Sequence, residues 1–498
     1  MTRRAWIVGL LAALAAALPA AASHNADDHS DNMSLVANWD HDGTYRQGSD
    51  IAFWGDTMVL GNFDNPGGFR VIDIANPAKP KLLGHFKCPG PQSEVAIWRD
   101  LVFVGVDNGR AGESCDEAGQ SSAAARLTGD SWEGIRVVSI ADPAKPKQLA
   151  AVHTDCGAHT LTLIPDTAKD RVILYANSYP AGRQGAGCNA HFKISVVEVS
   201  LSKPQDAKVI ATPSVGTAVG CHDITVHMER KLAAAACLTE TQIWDITDPV
   251  APATLGTIRN ASMNIQHSTA WSNDGKKLVI GDEMGAAAAA TGCMAEGHLP
   301  LGALWFYDIA EPSSPQMRSS LVIPRREVSI FCTAHNFAPV PMIEGRDILV
   351  SGWYNGGTTV LDFTDPSNVE EIGHYTPRTG PKPASWASYW YRGHIYVNNF
   401  DEGFIYEAGR SRGLDVLKMS DPRVAKALTL THLNPQTQEA LRAAAPAPEP
   451  KPKPVKVLPV KQTRAPLPAT GVGAAPSAAL LLALAVAAAA TLAKPRTR

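Results

Sequence analysis

The chain has 498 residues and a formal net charge of −3, so its composition gives no ground for a nucleic-acid partner. It carries 40 Gly and 36 Pro, the supply that many tight turns require. Its 8 Cys include no CxxC pair, which argues against zinc-ribbon and thioredoxin-like readings.

The N-terminus, MTRRAWIVGLLAALAAALPAAAS, joins two arginines, Arg3 and Arg4, to an apolar run from Trp6 to Leu18 and small residues at Ala20 and Ala22. This predicts a secretory signal peptide over residues 1–22, cut after Ala22. The apolar run is short for a membrane span. Next comes SLVANW, which looks like an outer strand without its repeat. Leu35–Trp39 is predicted to pair with the last repeat and close a ring.

From about Ser34 to Leu430 one stretch recurs. It reads GFRVIDIANPAKPKLLG at Gly68, GIRVVSIADPAKPKQLA at Gly134, KISVVEVSLSKPQDAKVIA at Lys193 and TQIWDITDPVAPATLG at Thr241. It returns as ALWFYDIAEPSSPQM at Ala303, GTTVLDFTDPSNVEEIG at Gly357 and GLDVLKMSDPRVAKAL at Gly413. The marker prolines, Pro77, Pro143, Pro204, Pro249, Pro312, Pro366 and Pro422, are spaced about 45 to 66 residues apart. Proline removes a ladder donor and fixes its own backbone angle, so each Asp-Pro marks a turn between two strands, C and D. A β-rich segment precedes each pair as strand B, for example LVFVGVD at Leu101 or KLVIGDE at Lys277. Before it lies a strand A: DIAFW at Asp50, EVAIW at Glu94, HTLTL at His159, HDITV at His222, HSTAW at His267, HNFAP at His335 and the divergent WASYWY at Trp386. The predicted fold is all-β: a seven-bladed β-propeller over residues 34–430 with four-stranded antiparallel blades, expected to be monomeric.

These copies resemble the LVIVD-repeat family of secreted β-propellers, with departures at SLSKP in the third and at Lys418 in the seventh. The resemblance implies a scaffold and no particular reaction.

After the last repeat, residues 435–466 form a Pro/Lys-rich spacer that cannot bury a core. LPATG follows at Leu467, Pro468, Ala469, Thr470 and Gly471, then a predicted transmembrane helix over 474–493 and the basic tail KPRTR. Residues 467–498 resemble the LPXTG-type cell-wall sorting signal of Gram-positive surface proteins. The resemblance implies transient membrane insertion of the helix and cleavage by a sortase between Thr470 and Gly471. The Thr470 acyl group would then pass to a peptidoglycan amine. The implied location is the Gram-positive cell surface, where disulfides form.

In an antiparallel meander, the start of A, the end of B, the start of C and the end of D share one face of the ring. Cys88, Cys115, Cys156, Cys188, Cys221, Cys237, Cys293 and Cys332 all fall there. Eight cysteines admit about 105 pairings. The sequential one, Cys88–Cys115, Cys156–Cys188, Cys221–Cys237 and Cys293–Cys332, needs no chain to cross the ring. The B-to-C insertions 108–133, 178–192 and 285–302 land on this face, and residues 115–134, which have no apolar period, are expected mostly as irregular cover.

Strand A lines the central channel of a propeller. At its opening position stand Asp50, Glu94, His159, His222, His267 and His335, with Ala387, Ser385 or Ser388 as the counterpart in the seventh repeat. Imidazoles converging with carboxylates suggest a divalent-metal site for Zn, Cu or Fe, or a small-ligand site. Fe-dependent carotenoid oxygenases are similar in layout, placing four histidines at a propeller axis, although their sequence motifs are absent. Structural hydrogen bonding by repeated histidines is the plainer alternative. Asp282 and Glu283 end a strand B near the mouth; a solvated loop is the expectation for them, and a role as accessory acids is the alternative. No GxSxG or HExxH occurs. The leading expectation is an extracellular binding or adhesion module for an unidentified ligand, and the rival is a metal-dependent oxidoreductase or hydrolase.

Overall fold

The computed structural model describes residues 27–39, 48–62, 67–88, 90, 92–111, 113–115, 131–178, 191–216, 218, 220–283, 302–324, 332–343, 345–378, 385–399 and 412–441. The signal peptide, most of the spacer, the sorting signal with Leu467, Pro468, Thr470 and Gly471, and Cys188 and Cys293 lie outside them. All described residues fall in the compact unit Met1–Ala443.

The fold is all-β and propeller-like. The inner strands are Gly48–Trp54, Val95–Trp98, Thr160–Asp166, Ile224–His227, Gln266–Trp271, Asn336–Pro339 and Ser385–Tyr391. Each heads an antiparallel meander. Repeats two, three and five form four-stranded sheets, and repeats one and four form five-stranded ones. Where two separate four-stranded blades are predicted, repeats six and seven share a nine-stranded sheet. A short parallel pairing of their inner strands, Asn336 with Ala387 and Phe337 with Ser388, fuses them.

The repeated motif has local physical roles. In the second repeat Asp142 accepts from the Ala144 amide through its side chain (3.1 Å) and from the Lys145 amide through its carbonyl (2.9 Å), closing a turn over Pro143. Asn76, Asp248 and Asp365 do the same. The third repeat, with Lys203-Pro204, turns through the 3₁₀ segment Pro204–Asp206, and the seventh through Pro422–Val424. Strands C and D also slip register at one matching place, such as Val71/Ile72, Ile243/Trp244 and Phe306/Tyr307. A glycine in strand D lets the next repeat approach: a Cβ on Gly84 would lie 1.9 Å from the Pro143 carbonyl oxygen, and on Gly256 2.2 Å from that of Pro312.

Met33–Trp39 pairs antiparallel with Leu414–Met419, Leu35 opposite Leu417, and slips register between Leu35 and Ala37. It is therefore the outer strand of the seventh repeat, supplied from the N-terminal end as expected. Asp28–His29 then covers the edge of Glu370–Thr376.

Apolar cores lie between neighbouring repeats. Phe103 and Val137 of the second pack with Leu161 and Leu174 of the third, and Phe306 of the fifth with Leu349 and Leu361 of the sixth. The circuit closes where Ile51 and Phe53 of the first meet Tyr389 and Val416 of the seventh. Trp98, Trp271, Trp353 and Trp390 sit in such cores.

Two expected disulfides are formed, Cys88–Cys115 and Cys221–Cys237. Cys156 and Cys332 are also disulfide-bonded. Of residues 115–134, expected mostly as irregular cover, Ser131 to Gly134 instead open strand C, Ser131–Ser139, and 116–130 lie outside the described residues. Strand B runs on over Leu101–Ala111 and pairs Arg110 with Trp132 and Ala111 with Ser131.

Candidate metal centre

Four inner strands place a histidine at the same level. The backbone N–H of His159, His222 and His335 donates to the last carbonyl of the adjacent strand B, at Asn177 (2.8 Å), Ala236 (2.7 Å) and Gly352 (3.0 Å). Side-chain hydroxyls then bind one repeat to the next: Ser268 Oγ donates to the His335 carbonyl at 2.7 Å and Thr225 Oγ1 to that of Thr269 at 2.7 Å. The histidines are held by the barrel of inner strands.

The imidazoles form an arc. Ring centroids lie 4.6 Å apart for His159 and His222, 3.7 Å for His222 and His267, and 4.5 Å for His267 and His335. Their residues are only 1–8% exposed. His159 Nδ1 lies 2.8 Å from Asp107 Oδ2, and His335 Nδ1 lies 2.7 Å from the Trp386 carbonyl oxygen. A carboxylate and a carbonyl accept, so each Nδ1 carries a proton, and in the neutral ring Nε2 is the nitrogen left with a lone pair. His159 Nε2 is 2.9 Å from His222 Nε2. Two nitrogens bound side by side to one ion at about 2.0–2.1 Å stand about 3 Å apart.

Burial, followed by the neighbouring His159 and His335, holds His222 well below the ordinary imidazole range. Burial and then His222 do the same to His267. Burial and His267 bring His335 down to about 3. These rings are neutral at neutral pH, the form that ligates metal.

Three carboxylates attend the arc. Asp107 orients His159. Asp223 Oδ1 lies 3.5 Å from His222 Nδ1; burial raises this carboxyl to about 6 against the pull of His267 and His159. Glu283 Oε2 lies 3.5 Å from His267 Nε2, and its other oxygen accepts from the Tyr354 hydroxyl at 2.8 Å. His222, Asp223 and His267 form one group able to hold a metal ion, and His267, Glu283 and His335 form a second. Asp155, Cys156 and His191 also come together, but Cys156 is committed to a disulfide.

The carboxylates expected from sequence are elsewhere. Among the described residues neither Asp50 nor Glu94 belongs to a metal-holding group, nor does His159, which reaches the arc through His222. Gln436 Nε2 donates to both, at 2.7 Å to Asp50 and 3.0 Å to Glu94. Gln436 of the C-terminal segment bridges the two carboxyl groups, and the Asp223 charge acts on Glu94. Asp282 also departs from expectation. It is fully buried and accepts the amides of Asn264 (2.7 Å), Ile265 (2.9 Å) and Gly302 (3.2 Å). Glu283 lies at the imidazoles, not in a solvated loop. In the seventh repeat the position belongs to Trp386, whose ring lies 4.1 Å from His335, instead of Ala387, Ser385 or Ser388. Asp107, Asp223, Tyr354 and Trp386 had no repeated signal, since each occurs in one repeat only.

Burial pushes the Asp50 carboxyl up to about 6, and burial with the Asp50 and Asp223 charges pushes Glu94 well above the carboxylate range. A carboxyl raised on folding contributes stability that is full below about pH 4 and is lost as pH rises through about 6. Glu94→Gln keeps a donor for Asp50 and removes one charge. It is expected to raise stability at pH 8 by about 1–3 kcal/mol, with no gain at pH 4. Thermal melts of both proteins at the two pH values check this; equal curves at pH 8 would sink it.

A family model for the LVIVD repeat matches residues 55–87, which hold strands B, C and D of the first repeat. A search of the curated proteins finds no match. Among solved structures, Kuenenia stuttgartiensis hydrazine synthase is similar with a TM-score of 0.50 at 11% identity, over 76% of this chain and 97% of that one. The WD40 β-propeller domain of Doa1 gives 0.47 at 11%, over 79% and 99%. A protein from Lactobacillus plantarum gives 0.48 at 11%, over 78% and 96%. The first of these speaks for the fold and for nothing beyond it. The chain thus carries an LVIVD repeat within an all-β, propeller-like fold.

Proposed function

We propose that the protein is a secreted seven-bladed β-propeller, anchored to the cell wall through Thr470, that binds a divalent metal ion or a small ligand at His159, His222, His267 and His335. It serves as a surface binding or adhesion module. The nine-stranded sheet counts as two blades in this reading, because its halves each carry the A–D meander. The metal reading is carried by the two tethered imidazoles. Asp107 and the Trp386 carbonyl each hold an Nδ1 proton and so leave Nε2 as a donor. Imidazole with one or two carboxylates suits zinc, copper or iron better than magnesium or calcium. The anchoring part rests on LPATG, the following apolar run and the basic tail.

A metal-dependent enzyme is the second reading, favoured by the Glu283–Tyr354 pair beside His267 and His335. There an acid and a phenol adjoin the donor set and are able to hold or move a proton. Elemental analysis of the purified ectodomain, with and without the four His→Ala changes, tests the site. About one ion per chain, lost in the variant, is expected. Absence of stoichiometric metal from protein refolded with zinc, copper or ferrous iron would remove both metal readings. A bound ion that cycles between oxidation states with ascorbate and air would favour the enzyme.

A further inference from the structure

The fold continues past residue 430, where sequence ends the repeats and 435 opens the spacer. The segment 428–438 crosses the ends of the inner strands remote from the histidines. Leu428 N–H donates to the Pro341 carbonyl and Gly55 N–H to that of Thr431, both in A-to-B turns. His432–Leu433 pairs with Phe53 and Trp54, and the His432 ring stacks on Trp54 with centroids 4.4 Å apart. Asn434 bonds both backbone groups of Ile97, accepting at 2.7 Å and donating at 3.0 Å. Thr437–Gln438 runs parallel to Val226–His227, and Thr437 Oγ1 donates to the Leu163 carbonyl. Gln438 bonds both backbone groups of Trp271, at 2.7 and 3.0 Å.

One short polar segment thus engages the inner strands of repeats one to five, while Tyr391 of the seventh donates to the Thr431 carbonyl at 3.1 Å. Gln436 points up the channel to Asp50 and Glu94. This pattern differs from a chain end lying on a surface. It satisfies inner-strand amides that face the axis and have no ladder partner there.

We infer that residues 431–438 are a plug that closes the channel end opposite the histidines, so that ions and small ligands reach the His159–His335 arc from the disulfide-bearing loop face. The access part rests on the metal reading above; the plug itself does not. The charged and titratable groups facing Gln436 are Asp50 and Glu94, with Tyr389 hydrogen-bonded to Asp50 and the Asp223 charge beyond Glu94.

Amide hydrogen exchange on the full ectodomain tests the plug in two variants, Asn434→Ala/Gln436→Ala and the milder Gln438→Ala. The amide of Ile97, which donates to the Asn434 side chain, is expected to exchange at least about tenfold faster in the double variant, and that of Trp271, which donates to the Gln438 side chain, in the milder one, with those of His159, His222 and His335 unchanged. A uniform rise across all inner strands, or no change at the named amides, would overturn the plug. Zinc release to a chelator is read in parallel and is expected to quicken at least about fivefold in the double variant. Lost protection with an unchanged release rate would overturn the access route. If the wild type holds no zinc, the metal reading fails while the exchange result still decides the plug.

Discussion

Deletion of residues 27–39 is expected to lower the melting temperature by about 6–10 °C and to drive the chain into dimers or larger assemblies. Met33 is 1% exposed and packs with Ile348, Leu417 and Met419. Burying such a side chain is worth about 1.5–3 kcal/mol. Val36, Ala37 and Trp39 pack on the core shared by the first and last repeats. The ladder from Met33–Met419 to Trp39–Leu414 is lost as well, and its bonds contribute about 0.5–1.5 kcal/mol each. Asn32, which donates to the Ile372 carbonyl at 2.8 Å, would leave with the strand. The total is about 5–8 kcal/mol, and Leu414–Met419 becomes an open edge. Calorimetry with light scattering reads both effects. A monomer that melts with the intact protein would mean that the ring closes without this strand.

Chelation is expected to lower the melting temperature of the metal-loaded protein by about 5 °C and to leave His267→Ala unmoved. An ion that binds only the folded chain, present at about a thousand times its dissociation constant, stabilises it by about 4 kcal/mol. His267 is the informative position because it belongs to both groups able to hold metal, with His222 and Asp223 on one side and Glu283 and His335 on the other. Its own truncation costs packing against His222 and His335, so the comparison is made within each protein, with and without chelator. Asp107→Asn is the finer probe. An amide can donate to His159 Nδ1, which moves the ring proton to Nε2 and takes away the lone pair there. Metal affinity is expected to fall about 10- to 100-fold with little loss of fold. Equal chelator shifts in wild type and His267→Ala would place the ion elsewhere.

The sequence by itself determined the repeat. Asp-Pro turns, alternating Val and Ile and the glycines of strand D act over a few residues, so the strands, their order and the closing role of Leu35–Trp39 could be read directly. The histidine arc was legible for the same reason: four residues at one register position of a repeated unit must converge if the units form a ring. The partners of those histidines were decided only by the tertiary structure. Asp107 lies within the long strand Leu101–Ala111 and Glu283 just past Lys277–Asp282, each in a single repeat, Asp223 sits one residue past a histidine, and Tyr354 and Trp386 come from the sixth and seventh repeats. None recurs, so no pattern marked them. Asp50 and Glu94 held the right register, but Gln436 of the C-terminal segment takes them. The plug HLNPQTQ was illegible because it bonds through backbone and amide groups instead of an apolar face. Such polar matching depends on where the inner strands end, which the ring settles and local sequence does not.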